Sequence, residues 1–260
     1  MVDWREIWQY RDLLYFLAWR DIRVRYKQTV LGAAWAVLQP IAAMIVFTLF
    51  FGRLSGLAAK TGDVPYALFV YLGLLPWLFV SSAVAASGAS LVGNTQLVGK
   101  VYFPRVVVPF ATIGVSLVDF LVSLVLLAGF MTYYQVTPTW RILATPLFVA
   151  GAVLIAAGFG TLLAALTALY RDFRFVIPFM LQIWMFVSPV IYPSTVIPKQ
   201  WRTLYFLNPV SGLLEGFRAA CLGLPFDGAG IGVSAAVAVA VFIAGTRYFA
   251  NVERRLADVI

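Results

Sequence analysis

Histidine is absent, cysteine occurs once, and acidic residues number 11 among 260 positions. Each scarcity removes a class of chemistry. The lone Cys221 cannot close an internal disulfide. Without histidine, the usual donor sets for zinc or haem are missing, so no metal site is expected. Serine and threonine are plentiful, yet no imidazole stands ready as their base and no glycine-flanked nucleophile elbow occurs. Charge of either sign is also scarce, at 12% of residues, against about a quarter in soluble domains. No stretch is polar enough for a separate soluble domain, so residues 1–260 read as one membrane domain. The net charge of +8 does not imply nucleic acid, because the cations flank apolar runs. The first residues mix charged and aromatic side chains, so no cleavable signal is expected.

One motif fails on inspection. Gly93-Asn94-Thr95-Gln96-Leu97-Val98-Gly99-Lys100 looks like a phosphate-cradling glycine loop. The glycine spacing is one residue too long, and Val101 stands where a hydroxyl must reach magnesium. This chain is therefore expected to bind no ATP, magnesium or other cofactor. If ATP energises it, the ATPase is another polypeptide.

What the chain has is apolar length: 62% of residues are hydrophobic. A helix needs about 20 apolar residues to span a bilayer. Six runs qualify: 31–51, 67–92, 106–134, 142–169, 177–192 and 230–250, the fifth short and proline-bounded. The reading is an all-α integral membrane protein with a six-span bundle over 31–250 and a tail from 251 to 260. Residues 1–30 precede the bundle, and 7–28 predict an amphipathic interface helix. Tyr10, Leu13, Leu14, Leu17 and Val24 fall on one side of it, and Gln9, Asp12, Arg20, Arg23 and Lys27 on the other. Asp21 and Arg25, four apart, are placed to pair. With the N-terminus inside, thirteen cations fall on the inner side and six outside, the six being Arg53, Lys60, Arg141, Lys199, Arg202 and Arg218. Both termini are then cytoplasmic.

The loop from Pro193 to Gly228 has helical periodicity on both sides of Asn208-Pro209. It predicts two half-helices that re-enter the outer leaflet. Asp119 is the one charge in mid-span. It reads either as a polar contact between helices, with Ser116 or Ser123 one turn away, or as a conduit or proton-coupling group. Trp35, Phe47 and Phe50 in the first run, and Phe179, Trp184 and Tyr192 in or beside the fifth, read as lipid-facing belts or as faces against sugar rings. Two compact inner loops, Gly93 to Arg105 and Tyr170 to Phe175, mix cations with aromatics and suit a partner groove.

The run Arg20-Asp21-Ile22-Arg23-Val24-Arg25-Tyr26-Lys27, continuing through Gly32 to Trp35 and Gln39-Pro40, resembles the transmembrane subunit of ABC exporters for bacterial polysaccharides. So do Gly73-Leu74-Leu75-Pro76-Trp77, Lys100-Val101-Tyr102-Phe103-Pro104-Arg105, Tyr170-Arg171-Asp172, Ser188-Pro189-Val190-Ile191-Tyr192 and Leu207-Asn208-Pro209. The nearest branch is the O-antigen export permeases, with teichoic acid, capsule, lipid and drug exporters as relatives. The resemblance implies a homodimer in the bacterial inner membrane that binds two copies of an ABC ATPase, the subunit holding ATP and magnesium. It implies ATPase coupling through Asn94, Gln96, Lys100, Tyr102, Phe103 and Arg105, with Arg171, Asp172 and Arg174 as a second contact. Arg20, Arg23, Arg25 and Lys27 would meet lipid headgroups. The conduit would be lined from Trp35, Phe47, Phe50, Asp119, Phe179, Trp184 and Tyr192, and Asn208, Pro209 and Glu215 would belong to an outer gate. The substrate would be a glycan on a polyprenyl diphosphate. A proton-coupled carrier using Asp119 and a glycan-assembly enzyme are the alternatives.

Overall fold

The computed structural model describes residues 4–27, 34–54, 56–60, 64–100 and 103–256, and among them every regular element is helical. Two helices, α1 (Trp4–Gln9) and α2 (Arg11–Lys27), precede the bundle. The first crossing is α3 (Ala34–Phe47), extended by a π-helical segment, Thr48–Leu54. Then come α4 (Tyr66–Gly93), the short α5 (Thr95–Lys100), α6 (Val107–Tyr133), α7 (Thr145–Leu169) and α8 (Phe173–Val187). Two further helices, α9 (Arg202–Phe206) and α10 (Pro209–Leu222), lead into α11 (Gly228–Leu256).

Five helices are long and apolar enough to cross a membrane, and α8, at 15 residues, is apolar but shorter. At 1.5 Å per residue α8 covers about 22 Å, short of a hydrocarbon core of about 30 Å. It stops because Ser188 precedes a proline and is forced to extended backbone, ψ 151°. A tight turn follows, in which Val190 N donates to the Ser188 carbonyl at 2.7 Å, and Ser188, Val190 and Ile191 are buried. The expected fifth span, 177–192, is thus helix to Val187 and turn beyond it.

Helix α4 is the hub. Its apolar residues fall on every side, which marks a helix surrounded by protein, and 78% of its spanning window is buried. Small residues let neighbours approach closely. A Cβ on Gly160 of α7 would meet Ser87 Cβ of α4 at 2.7 Å, and one on Gly158 would meet Phe242 Cα of α11 at 2.8 Å. The proline in α3 leaves the carbonyl of Ala36 without its helical partner. Ser123 Oγ on α6 donates to it at 3.0 Å, lacing the two spans together.

The two ends of the bundle are distinct. At one end Leu17 of α2, Leu91, Val107, Ala164, Ala165, Phe249 and Val252 form a cluster, with Tyr10, Leu13 and Leu14 packed on it. The described N-terminal helices and the end of α11 therefore share one face. The predicted stripe on α2 is right except for Val24, which is 55% exposed. Rather than lying apart, α2 runs along the first half of α6: Ala18 packs beside Gly114, and Tyr26 reaches Asp119.

At the opposite end α9 and α10 are the expected two short helices, broken at Asn208-Pro209. Arg202, at the start of α9, bridges to Asp227 just before α11 (3.1 Å), and Arg141 bonds the carbonyl of Gly223 after α10 (2.6 Å). Both outer ends of the pair thus lie at the same level, with Asn208-Pro209 at the turning point. The asparagine caps α10 by accepting from Val210 N at 3.1 Å, and the proline occupies the first helical position.

Candidate functional site

A groove of about 670 Å³ opens between α3 and α8, floored by α4 and α6. Its polar lining comes from Arg25, Tyr26, Gln39, Ser81, Ser82, Ser116, Asp119, Ser123 and Gln182, and its apolar lining includes Trp35, Trp77 and Phe120. The helices on its rims are poorly covered: only 11% of the α3 window is buried. On α8, Phe175, Phe179, Ile183, Phe186 and Val187 are exposed while Ile177 and Leu181 are buried.

Asp119 sits in the groove floor and is paired. Arg25 Nη1 lies 2.9 Å from one carboxylate oxygen, and the Tyr26 hydroxyl donates to the other. Burial, and then the bond to Asp119, pushes the Tyr26 phenol up to about 12. The hydroxyl therefore keeps its proton and stays a donor. The expected serine partners do not reach the carboxylate: Ser123 Oγ shares its one proton between the Asp119 backbone carbonyl at 2.9 Å and that of Ala36. Asp21, expected to pair with Arg25, accepts from Arg20 at 2.8 Å. The interface helix is thus fastened to α6 by neighbours in space that lie more than 90 positions apart in sequence.

The conduit candidates divide. Trp35 and Asp119 line the groove. Phe47 packs on the core beside Phe51, with ring centroids 5.9 Å apart. Phe50 and Phe179 are exposed on the outer faces of their helices, at 60% and 65%. Trp184 stands behind the groove wall: it meets Trp77 edge-on at 5.8 Å and donates to Asn208 Oδ1 at 2.8 Å. The hydroxyl of Tyr192 donates to the carbonyl of Phe186 at 3.2 Å. An aromatic's place in sequence does not fix which way it faces, because helix packing decides that.

The outer-gate candidates converge. Asn208 donates to Ser188 Oγ at 2.9 Å, tying α10 to the end of α8. Pro209 is buried beneath it. Glu215 accepts from Ser194 N at 3.3 Å and lies 3.7 Å from Arg218 Nη1. Arg218 is the residue whose burial the sequence reading missed. Counted only by side of the membrane, it is 3% exposed inside α10. Its guanidinium donates to the carbonyls of Phe69 (3.2 Å) and Val190 and stacks 3.8 Å over the Phe69 ring. Two of its nitrogens are thus bonded and the third, Nη1, has only the Glu215 carboxylate at 3.7 Å, an ion pair that offsets part of the cost of burial. Its signal was present: a cation inside the apolar run from Val210 to Cys221. Gly73 makes room for it, since a Cβ there would strike Arg218 Nη2 and the Val190 carbonyl. Non-helical backbone at membrane depth needs such internal partners, and Tyr66 supplies another by donating to Ile191 O at 2.7 Å.

On the face that carries the described chain ends, the coupling candidates also divide. The expected inner-loop helix exists as α5, with Gln96 exposed. Asn94, at its start, accepts from Arg20 Nη2 at 2.9 Å. Arg171, Asp172 and Arg174 are exposed at the turn between α7 and α8. Phe103 is buried, and Arg105 is bonded to Glu253. Lys100 closes α5, and Tyr102 lies outside the described residues. Of the interface cations, Arg23 lies 5.2 Å over the Trp19 ring and Lys27 is exposed at the end of α2.

Known proteins are similar to this chain over most of its length. Residues 12–222 match the ABC-2 type transporter family model. The chain is 30% identical over 261 residues to an O-antigen export system permease protein of Myxococcus xanthus, covering 98% of each. It is 25% identical over 254 residues to one of Klebsiella pneumoniae, covering 96% of this chain and 95% of the relative. It is also 25% identical over 217 residues, 78% of each, to a polysialic acid transport protein of Escherichia coli. By the match over residues 12–222, this chain belongs to the ABC-2 type transporter family.

Proposed function

We propose that this chain is the membrane-spanning subunit of an ATP-driven exporter, one that moves a lipid-linked, O-antigen-like polysaccharide across the bacterial inner membrane. The observation that carries the reading is the end-to-end likeness to O-antigen export permeases, 98% of both chains in one case. The match to the capsule-type relative stops at 78%, which favours the O-antigen branch. The uncovered rims of the groove, α3 and α8, support a second copy of the chain closing it into a conduit. Serine, glutamine and tryptophan along that groove suit a glycan, which offers hydroxyls at its edges and apolar ring faces.

The energy source in this reading is an ABC ATPase, two copies per dimer, that binds ATP and magnesium and presses on the cytoplasmic face. The exposed Arg171, Asp172 and Arg174, with Asn94 and Gln96, form its contact. A push on α2 reaches α6 directly, because Arg25 and Tyr26 both hold Asp119. The groove floor then moves with the interface helix. Cations of α2 face the phosphates of the lipid carrier and of the membrane, with both termini cytoplasmic.

Charge reversal at Arg174 tests the docking. In proteoliposomes holding permease and ATPase, Arg174→Glu is expected to lower glycan export about tenfold or more, the size of a lost charge pair at an interface. Membrane insertion should be unchanged. Wild-type export by this variant would remove the assignment.

A further inference from the structure

The start of the short helix α5 and the turn between it and α6 are each held by residues far away in sequence. At its start, Asn94 accepts from Arg20 of α2 at 2.9 Å and donates to the carbonyl of Ser90 at 2.9 Å. Beyond its far end, the turn into α6 is held by the last turns of α11. Arg105 N donates to Glu253 Oε1 at 2.6 Å, and Arg105 Nη1 donates to the Glu253 carbonyl at 3.2 Å. Beneath these bonds Phe103, Val106 and Val107 are buried against Phe249 and Val252.

The two bonds are reciprocal. The first amides of a helix and its last carbonyls have no partner inside the helix. Just ahead of α6, the Glu253 carboxylate takes an amide of the entering turn, where negative charge is favoured. At the end of α11, the Arg105 guanidinium takes a terminal carbonyl, where positive charge is favoured. Each helix end supplies the cap that the other needs. Both bonds carry a charged partner, which makes them stronger than neutral ones.

We infer that Glu253 is a positioning residue for transport: it makes the end of α11 part of the linkage that moves with α5. The inference rests on the exporter reading above. With Arg20 on one side and Glu253 on the other, α5 cannot be displaced without carrying α2 and α11 along. Motion imposed on α5 then reaches α7 as well, against which α11 is packed at Gly158 and Gly245.

The test uses the permease–ATPase complex in proteoliposomes, with ATP hydrolysis and glycan export read on the same vesicles. Glu253→Ala is expected to lower glycan exported per ATP by about tenfold, as for loss of a charged hydrogen bond, with hydrolysis nearly unchanged. Glu253→Gln keeps an acceptor for the Arg105 amide and should stay within about threefold of wild type. Cysteines placed at 105 and 253 should export poorly until joined by a short reducible cross-link, because the bridge replaces the bond. Full coupling in the alanine variant, a glutamine variant as defective as alanine, or no recovery on cross-linking would each overturn the inference. Hydrogen exchange over residues 103–108 in the permease alone separates this inference from the exporter reading. Exchange should quicken about tenfold in the alanine variant and not in the glutamine one. Equal rates would overturn the tether whatever the vesicles show, whereas a wild-type complex that exports nothing would count against the exporter reading.

Discussion

Arg218→Met is expected to deplete the folded permease severely. Methionine keeps the hydrocarbon length but loses every donor. The Glu215 carboxylate and the carbonyls of Phe69 and Val190 would remain where they are, without their partner. Removing one member of a buried ion pair costs about 3–5 kcal/mol, a loss of roughly a hundredfold or more in the folded population. Arg218→Lys should recover only part, since one ammonium cannot reach two carbonyls and stack on Phe69. Adding Glu215→Gln to the methionine variant should also recover part, because it removes the orphaned charge. Size-exclusion of the heated, solubilised protein measures all three. Wild-type thermal stability in Arg218→Met would show that the turn after α8 needs no such clamp.

Asp119→Leu is the second large effect. It removes the acceptor shared by Arg25 and Tyr26 and so unfastens α2 from the groove floor. Export is expected to fall about tenfold or more, consistent with losing two bonds to one charged group at about 1.5–3 kcal/mol each. Because Arg25 is 48% exposed, solvent screening places the effect toward the low end of that range. Asp119→Asn retains acceptor oxygen for Tyr26 and should keep export within about threefold. ATP-driven transport in vesicles reads both variants. A proton-coupling carboxylate would behave differently: the asparagine variant would fail as completely as leucine, because neither titrates.

These two residues also mark where the sequence was legible and where it was not. The long spans, the interface stripe on Tyr10, Leu13, Leu14 and Leu17, and the break at Asn208-Pro209 are local signals. Periodicity and proline chemistry fix them without knowledge of neighbours. The end of the fifth span was misjudged although Pro189 carried the cue, because its apolar residues continue past the helix to Tyr192. Pairings were not legible. Arg25 meets Asp119, and Arg105 meets Glu253 148 positions away, through contacts that exist only once the helices pack. The count by side of the membrane treated Arg218 by charge alone, whereas its neighbours Leu214, Phe217 and Cys221 had already placed it on a buried helix face. Asp119 received the opposite treatment, and its singular position in mid-span was rightly given weight. Aromatics were the least legible of all: Trp35 faces the groove while Phe50, on the same span, faces away.

Purified permease, reconstituted with and without its ATPase and offered a lipid-linked O-antigen-like glycan on the outer surface of sealed vesicles, provides the most direct measurement. Glycan should reach the lumen only when both the ATPase and ATP are present, through permeases oriented with the α2 face outward. Accumulation driven by the permease alone, with no ATPase bound, would contradict a membrane half moved from its inner surface by a separate motor.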